Sequence, residues 1–374
     1  MDAKQSAFRG CLLGLAVGDA MGCTVDGRSL EQIRQDYGPN GLLGYDLVNG
    51  YADTSSYTQF AAFTANGLLL GLTRGQLQGR MAPFVHYISL SSQEWARTQQ
   101  YRRPPEAPRC WISRVPELRR RACMDTRMLD TLNRGGLGTP EEPVNHFQAP
   151  GSLTCAIPAG LFFTPERMSV AEIGQLGAEA VALTHGDPSA FLSGAVLAYC
   201  IAGIVQDPET PLREHMTQAA QAVAAQFGKK YPQAAELRGL LRKAVLMTQE
   251  PETCRTEAME RLGCMTASQV LAGAFYAALT GSEDFDTAMI TAVNHSGRSA
   301  AVGAVTGAIL GARLGEEALP EFYLECLEPA DTLRQLADDL AQGCPMERTS
   351  RLFDDDWDRK YTHGQVVEKG GWCE

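Results

Sequence analysis

Five short segments of the chain combine glycine, hydroxyls and titratable side chains. They are Gly18-Asp19-Ala20-Met21-Gly22 leading to Asp26; Ser55-Ser56-Tyr57-Thr58-Gln59; Ala149-Pro150-Gly151-Ser152; Thr184-His185-Gly186-Asp187-Pro188; and Asn294-His295-Ser296-Gly297-Arg298-Ser299-Ala300-Ala301. Such runs at helix starts suit anions, because the first N–H groups of a helix lack partners and lie at the positive end of its dipole. The Gly151-Ser152 and Arg298-Ser299 turns have that form, and phosphate is the anion they would take. Asp26 is the carboxylate that could act as a general base, with His185 as acid. Each feature has a plainer reading. A hydroxyl at a helix start is most often only a cap, and a histidine between apolar helices is most often a satisfied core residue.

Helices must position these segments. Residues 4–22 set Gly10, Gly14, Gly18 and Gly22 among Phe8, Cys11, Leu12, Leu15 and Ala16. Glycine at every fourth position gives one helix face a flat stripe that another backbone can approach, at about 1 kcal/mol of helix propensity per glycine. Ser29 and Gln32 form a capping-box pattern for a short helix ending near Gly38. Thr54 or Ser55 can cap a helix from Tyr57 to about Leu72. Helical periodicity recurs near 116–131, 169–184, 188–205, 211–227, 232–248, 267–280, 284–294, 299–314 and 330–342. Pro188, Pro211 and Pro232 stand where first-turn prolines belong. Strand-like alternation is nearly absent, so the expected fold is all-α, with many packed helices. Residues 100–150, rich in Pro, Gly and Arg, read as an irregular excursion holding one helix. We expect one helical domain over 1–343 and a charged tail over 344–374, with Trp357 and Trp372 lying on its surface.

Composition narrows the function classes. A chain of 374 residues with net charge −11 is a poor sequence-independent nucleic-acid binder, since that binding depends on cationic contacts to phosphates. The basic cluster from Arg102 to Arg121 is a solvated face or a docking patch for an acidic partner. No apolar run of about 18 uninterrupted residues is evident, so no membrane span is expected. The first residues lack a basic stretch followed by an apolar one, so no secretory signal is expected. Eleven scattered cysteines without a CxxC pair read as free thiols in a reducing cytoplasm. Nothing in the sequence indicates the oligomeric state.

The order of the segments carries a resemblance. Phe8-Arg-Gly-Cys-Leu-Leu-Gly-Leu-Ala-Val-Gly-Asp-Ala-Met-Gly22, then Thr58 to Leu69, Pro158 to Leu161, Leu183 to Pro188, and Ala292 to His295 continuing through Gly303 and Gly307 to Gly315, resemble the ADP-ribosylglycohydrolase family. The likeness runs over about residues 5–343 and implies that family's all-α orthogonal multi-helix bundle. It also implies a site for two Mg²⁺ ions, held by an Asp-Asp pair before Thr58-Gln59 and by an Asp-x-Asp in the last segment. In this chain the first pair is Ser56 and Tyr57, and the second is Arg298 and Ala300. The flanking hydroxyls Ser55 and Ser299 remain, but all four acidic ligands are gone. Mg²⁺ needs oxygen ligands that normally include carboxylates, so we expect no metal and no cofactor here. By the same resemblance Asp26 stands for a loop glutamate, and Gly151, Ser152 and His185 for ligand-holding positions, while Arg298 and Ser299 are ligand-binding candidates by their place at a helix start.

Three functions follow. The first is a catalytically inactive member that binds ADP-ribose or an ADP-ribosylated protein without Mg²⁺-dependent hydrolysis. The second is a metal-independent N-glycosidic hydrolase using Asp26. The third is an interaction protein whose cleft is filled by Tyr57 and Arg298. The first and second differ on whether Asp26 is paired with Arg298. If Arg298 is buried it needs an anion, and Asp26 and Asp53 are the nearest candidates.

Overall fold

The computed structural model describes every residue except Met1, Arg102, 121–125, Gly136, 251–253, 349–352 and 368–374. Among the described residues the fold is all-α, without strands beyond two isolated bridges, Val48 to Tyr51 and Ala52 to Leu327. Its helices in chain order begin with α1 (Ala3–Cys23), α2 (Leu30–Tyr37), α3 (Ser56–Gln78), α4 (Phe84–Tyr101), α5 (Thr126–Asn133) and α6 (Ala156–Leu161). Next come α7 (Val170–Ala182), α8 (Pro188–Gln206), α9 (Leu212–Phe227), α10 (Gln233–Met247), α11 (Arg255–Leu262) and α12 (Ala267–Thr280). The last are α13 (Phe285–Val293), α14 (Ser299–Leu314), α15 (Glu321–Glu325), α16 (Ala330–Gln342) and α17 (Asp355–Tyr361).

The glycine stripe of α1 meets a second glycine stripe on α14. A Cβ added at Gly14 would lie 2.2 Å from the Gly307 carbonyl oxygen, and one at Gly311 would lie 1.9 Å from that of Gly10. Gly10 faces Gly311 and Gly22 faces Ser299, so the two helices run antiparallel, backbone against backbone. The close packing offsets the low helix propensity of the glycines. It also brings the end of α1 beside the start of α14.

Two further helices are buried all round. α3 is buried from Ser56 through Thr73, and α4, α6, α16 and α17 pack around it. α8 packs against α6, α7 and α9. With 19 residues it is long and apolar enough to cross a membrane by length and composition, although Ser189 and Ser193 interrupt its apolar run. Most of it is buried inside this fold, as expected of a core helix.

The Ser29 capping box forms as expected, and α12, α14 and α16 have the predicted limits. Other elements depart. α3 runs on to Gln78 and stops at Gly79, whose positive φ of 67° ends the helix in a left-handed turn. Pro188 is the first residue of its helix, after the Asp187 cap, whereas Pro211 and Pro232 lie one position earlier, at the cap itself. The 116–131 segment divides into a 3₁₀ turn at Glu117–Arg119 and α5. The tail does more than lie on the surface. Trp357 is buried and donates to Thr73 Oγ1 at 2.9 Å, while Lys360 and the Tyr361 hydroxyl both donate to buried Asp339. Trp372 lies outside the described residues. Among the described residues eight cysteines are free thiols, but Cys23 is disulfide-bonded, which corrects the all-thiol expectation.

Candidate functional site

Three helix starts and two loops converge around the end of α1. The first start belongs to α3. Ser55 is its cap, and its hydroxyl accepts from the Tyr57 N–H at 3.1 Å. Asp19, fully buried on α1, accepts from the Ser55 N–H at 2.9 Å and the Thr58 N–H at 3.0 Å. The Ser55 and Thr58 hydroxyls also donate to it. Burial pushes the Asp19 pKa up to about 6, and these four hydrogen bonds pull against that rise. Asp19 thus takes the Thr58 N–H at the start of α3 and holds Ser55, whose hydroxyl takes the Tyr57 N–H. Sequence reading put Asp19 in a chemical segment without seeing this role. Its signal was an acid on a helix of small residues, a position where a carboxylate needs several donors.

The second start belongs to α14. Arg298 occupies its cap position, and Ser299 is the first helical residue. Arg298 Nη1 lies 3.3 Å from Asp26 Oδ2, and the Ala300 N–H donates to Asp26 Oδ1 at 3.2 Å. Asp26 thus caps α14 from another loop while pairing with the arginine. Its side chain is 14% exposed and that of Arg298 35%. Burial raises the Asp26 pKa, while the Arg298 charge and the Ala300 N–H draw it back down. Asp53, the other expected partner, pairs instead with Arg120 at 2.8 Å. Arg120 also bonds Glu328, and its carbonyl accepts from Gln59, so this part of the basic segment is used internally.

The Gly151-Ser152 turn is buried, and it leads into a three-residue 3₁₀ turn, Leu153–Cys155, before the six-residue α6. So short a run sums few peptide dipoles, which weakens the anion site expected there. Ser152 Oγ lies 2.9 Å from His185 Nδ1 and 3.2 Å from the Val181 carbonyl. With the proton on Nδ1, the ring donates to Ser152 while Ser152 donates to Val181. Thr154 donates to the Tyr57 carbonyl at 2.8 Å and ties this turn to the start of α3. Asn145 holds the histidine loop, donating to the Thr184 carbonyl and accepting from the Gly186 N–H.

The 294–297 turn aligns the Asp26 loop with α14. Asn294 pairs with both backbone groups of Leu42. Buried His295 donates from Nε2 to the Ala292 carbonyl and accepts at Nδ1 from the Gly297 N–H. Burial lowers its pKa to about 4, so it is neutral at pH 7. The Ser296 hydroxyl accepts from the Leu30 N–H at 2.9 Å. The sequence placed Asn294 and His295 in a candidate segment without a role for either, and it did not single out Asn145.

The residues at the positions that the resemblance assigns to metal ligands do not suit a dication. Ser55 is committed to Asp19. Ser56 and Tyr57 sit buried in the first turn of α3, Tyr57 with 6% exposure. Arg298 directs a fixed positive charge at Asp26, and Ala300 offers a methyl group. A hard cation here would meet Asp26, already paired, Asp19, committed to four hydrogen bonds, and a competing guanidinium. Among the described residues, no three His, Cys, Asp or Glu side chains converge to hold a metal ion.

Comparison with known proteins agrees with this architecture. A family model described as ADP-ribosylglycohydrolase matches residues 1–350. A protein of Archaeoglobus fulgidus, itself described as uncharacterized, is 26% identical over 335 residues, covering 89% of this chain and 95% of that one. A solved structure titled as an ADP-ribosylglycohydrolase-related protein complex superposes with a TM-score of 0.57 at 22% identity. The match covers 91% of this chain and 99% of that one.

Proposed function

The chain belongs to the ADP-ribosylglycohydrolase family, and from that premise we propose that it is a non-hydrolytic member that binds an ADP-ribose-type ligand without a divalent metal. The observation that carries this reading is the Arg298–Asp26 pair at 3.3 Å, made where the family pattern has acidic metal ligands. The pair neutralises the carboxylate that a metal-independent hydrolase would use as its base, which counts against that alternative. A guanidinium also has no open coordination position from which to activate water. It is nonetheless one-third exposed and touches Asp26 through a single nitrogen. Its remaining N–H groups can therefore receive the diphosphate of a ligand.

The burial of Tyr57, Ser152 and His185, together with the Ser152–His185 contact, favours a second reading. In it the cleft is closed by the protein's own side chains and the molecule acts through its surface. Assays on ADP-ribosyl-arginine and ADP-ribosyl-serine, with and without magnesium, test the shared claim. Turnover should stay at background in both. Magnesium-dependent turnover contradicts both readings, and metal-independent turnover abolished by Asp26→Asn restores the hydrolase.

A further inference from the structure

α9 and α10 leave between them a groove of 670 Å³, away from the Arg298 site. Its accessible apolar surface is Leu246, 48% exposed, with Ala235 and Val245 beside it, over a floor of buried Met216, Ala220 and Leu241. Its rim carries Arg213, Arg238 and Arg242, and no acidic residue lines it, although the chain as a whole has net charge −11. Arg213 bridges the two helices at one end, donating to the Val245 carbonyl and to Thr248 Oγ1. Arg238 and Arg242 are exposed, and no acidic side chain among the described residues pairs with either.

Gly239 adds a second observation. It lies in the middle of α10 on the groove wall, where glycine weakens a helix. The glycines of α1 and α14 are explained by a backbone pressed against them, but a Cβ added at Gly239 would meet nothing within 4 Å. The fold of this chain thus gives no packing reason for a glycine here. A helix lying in the groove would supply one, because the missing side chain lets its backbone approach closely.

We infer that the α9–α10 groove binds an amphipathic helix of an acidic partner protein, its apolar face on Ala235, Val245 and Leu246 and its carboxylates on Arg238 and Arg242. The wall is long enough, since the 15 residues of α10 span about 22 Å, or four turns of a docked helix. The aliphatic floor and positive rim together select a helix with a leucine stripe flanked by Asp or Glu. The inference does not depend on the reading of the Arg298 site.

Two fluorescein-labelled helical peptides of about sixteen residues test it, each with leucines at i, i+3, i+4 and i+7, one flanked by Glu and the other by Lys. Fluorescence anisotropy with the full chain should show the acidic peptide binding about tenfold or more tighter than the basic one. The double variant Arg238→Glu/Arg242→Glu should weaken the acidic peptide by at least about tenfold. Gly239→Leu should abolish binding without lowering the melting temperature, which separates a blocked groove from a damaged fold. No binding of the acidic peptide, equal binding of both, or undiminished binding to the Gly239→Leu protein overturns the inference. So does binding of dodecyl phosphate alone, which would make the groove a small-molecule site.

Discussion

Asp19 and His295 are buried, and their titrations oppose each other. The folded His295 pKa of about 4 lies below its ordinary value of 6.5, so the unfolded chain binds the extra proton between those values and stability rises with pH. The folded Asp19 pKa of about 6 lies above 3.8, so the folded chain holds the extra proton and stability falls as pH rises through that window. Each slope is about 1.4 kcal/mol per pH unit, and the two nearly cancel between pH 4 and 6. His295→Gln should unmask the Asp19 term: chemical denaturation should show stability declining from pH 4 to 6 more steeply than in the parent protein. An unchanged profile would contradict the assignment. Arg298→Ala leaves Asp26 with only the Ala300 N–H and should cost about 1–2 kcal/mol, discounted because the arginine is one-third exposed. Adding Asp26→Asn should recover part of that loss in a double-mutant cycle. Additive losses would show that the two side chains are not coupled.

Among the helices, glycine separates two kinds of packing. Gly14→Ala places a methyl group 2.2 Å from the Gly307 oxygen, and helix backbone cannot yield as a side chain can. We expect a loss of about 3 kcal/mol or failure to fold. Gly239→Ala meets open space and should instead raise stability by about 0.4–1 kcal/mol. Urea denaturation of the two variants decides it, and equal losses would contradict the α1–α14 contact. The α1 stripe was legible because a four-residue glycine period has few uses other than close helix contact. Its partner on α14 was less so, since sequence gives the face but not what covers it. α4, whose buried face mixes Trp95 with Ser91, Ser92, Glu94, Thr98 and Gln99, and α11, with few apolar residues, lacked a clear period. Their helicity comes from what they pack against.

For the molecule as a whole, the family fold was legible from the order of its segments, whereas the use of its site was not. The four positions that the resemblance assigns to acidic metal ligands suggest which chemistry this chain does without. They do not indicate whether Arg298 turns to Asp26, to Asp53 or to a ligand, because that choice depends on loops brought together from 270 residues apart. The structure gives Asp26 to Arg298 and Asp53 to Arg120. Likewise, the charged composition of the tail concealed α17, whose Trp357 and Lys360 enter the core only because α3 and α16 offer Thr73 and Asp339. The central claim is that a fixed cation has taken the place of a metal centre. Calorimetric titration of ADP-ribose into the full chain, in EDTA and in millimolar magnesium, tests it most directly. The account predicts the same dissociation constant in both buffers, weakened about tenfold or more by Arg298→Ala, the scale of a charge-assisted hydrogen bond. Binding that requires magnesium, or that is indifferent to Arg298→Ala, would contradict it.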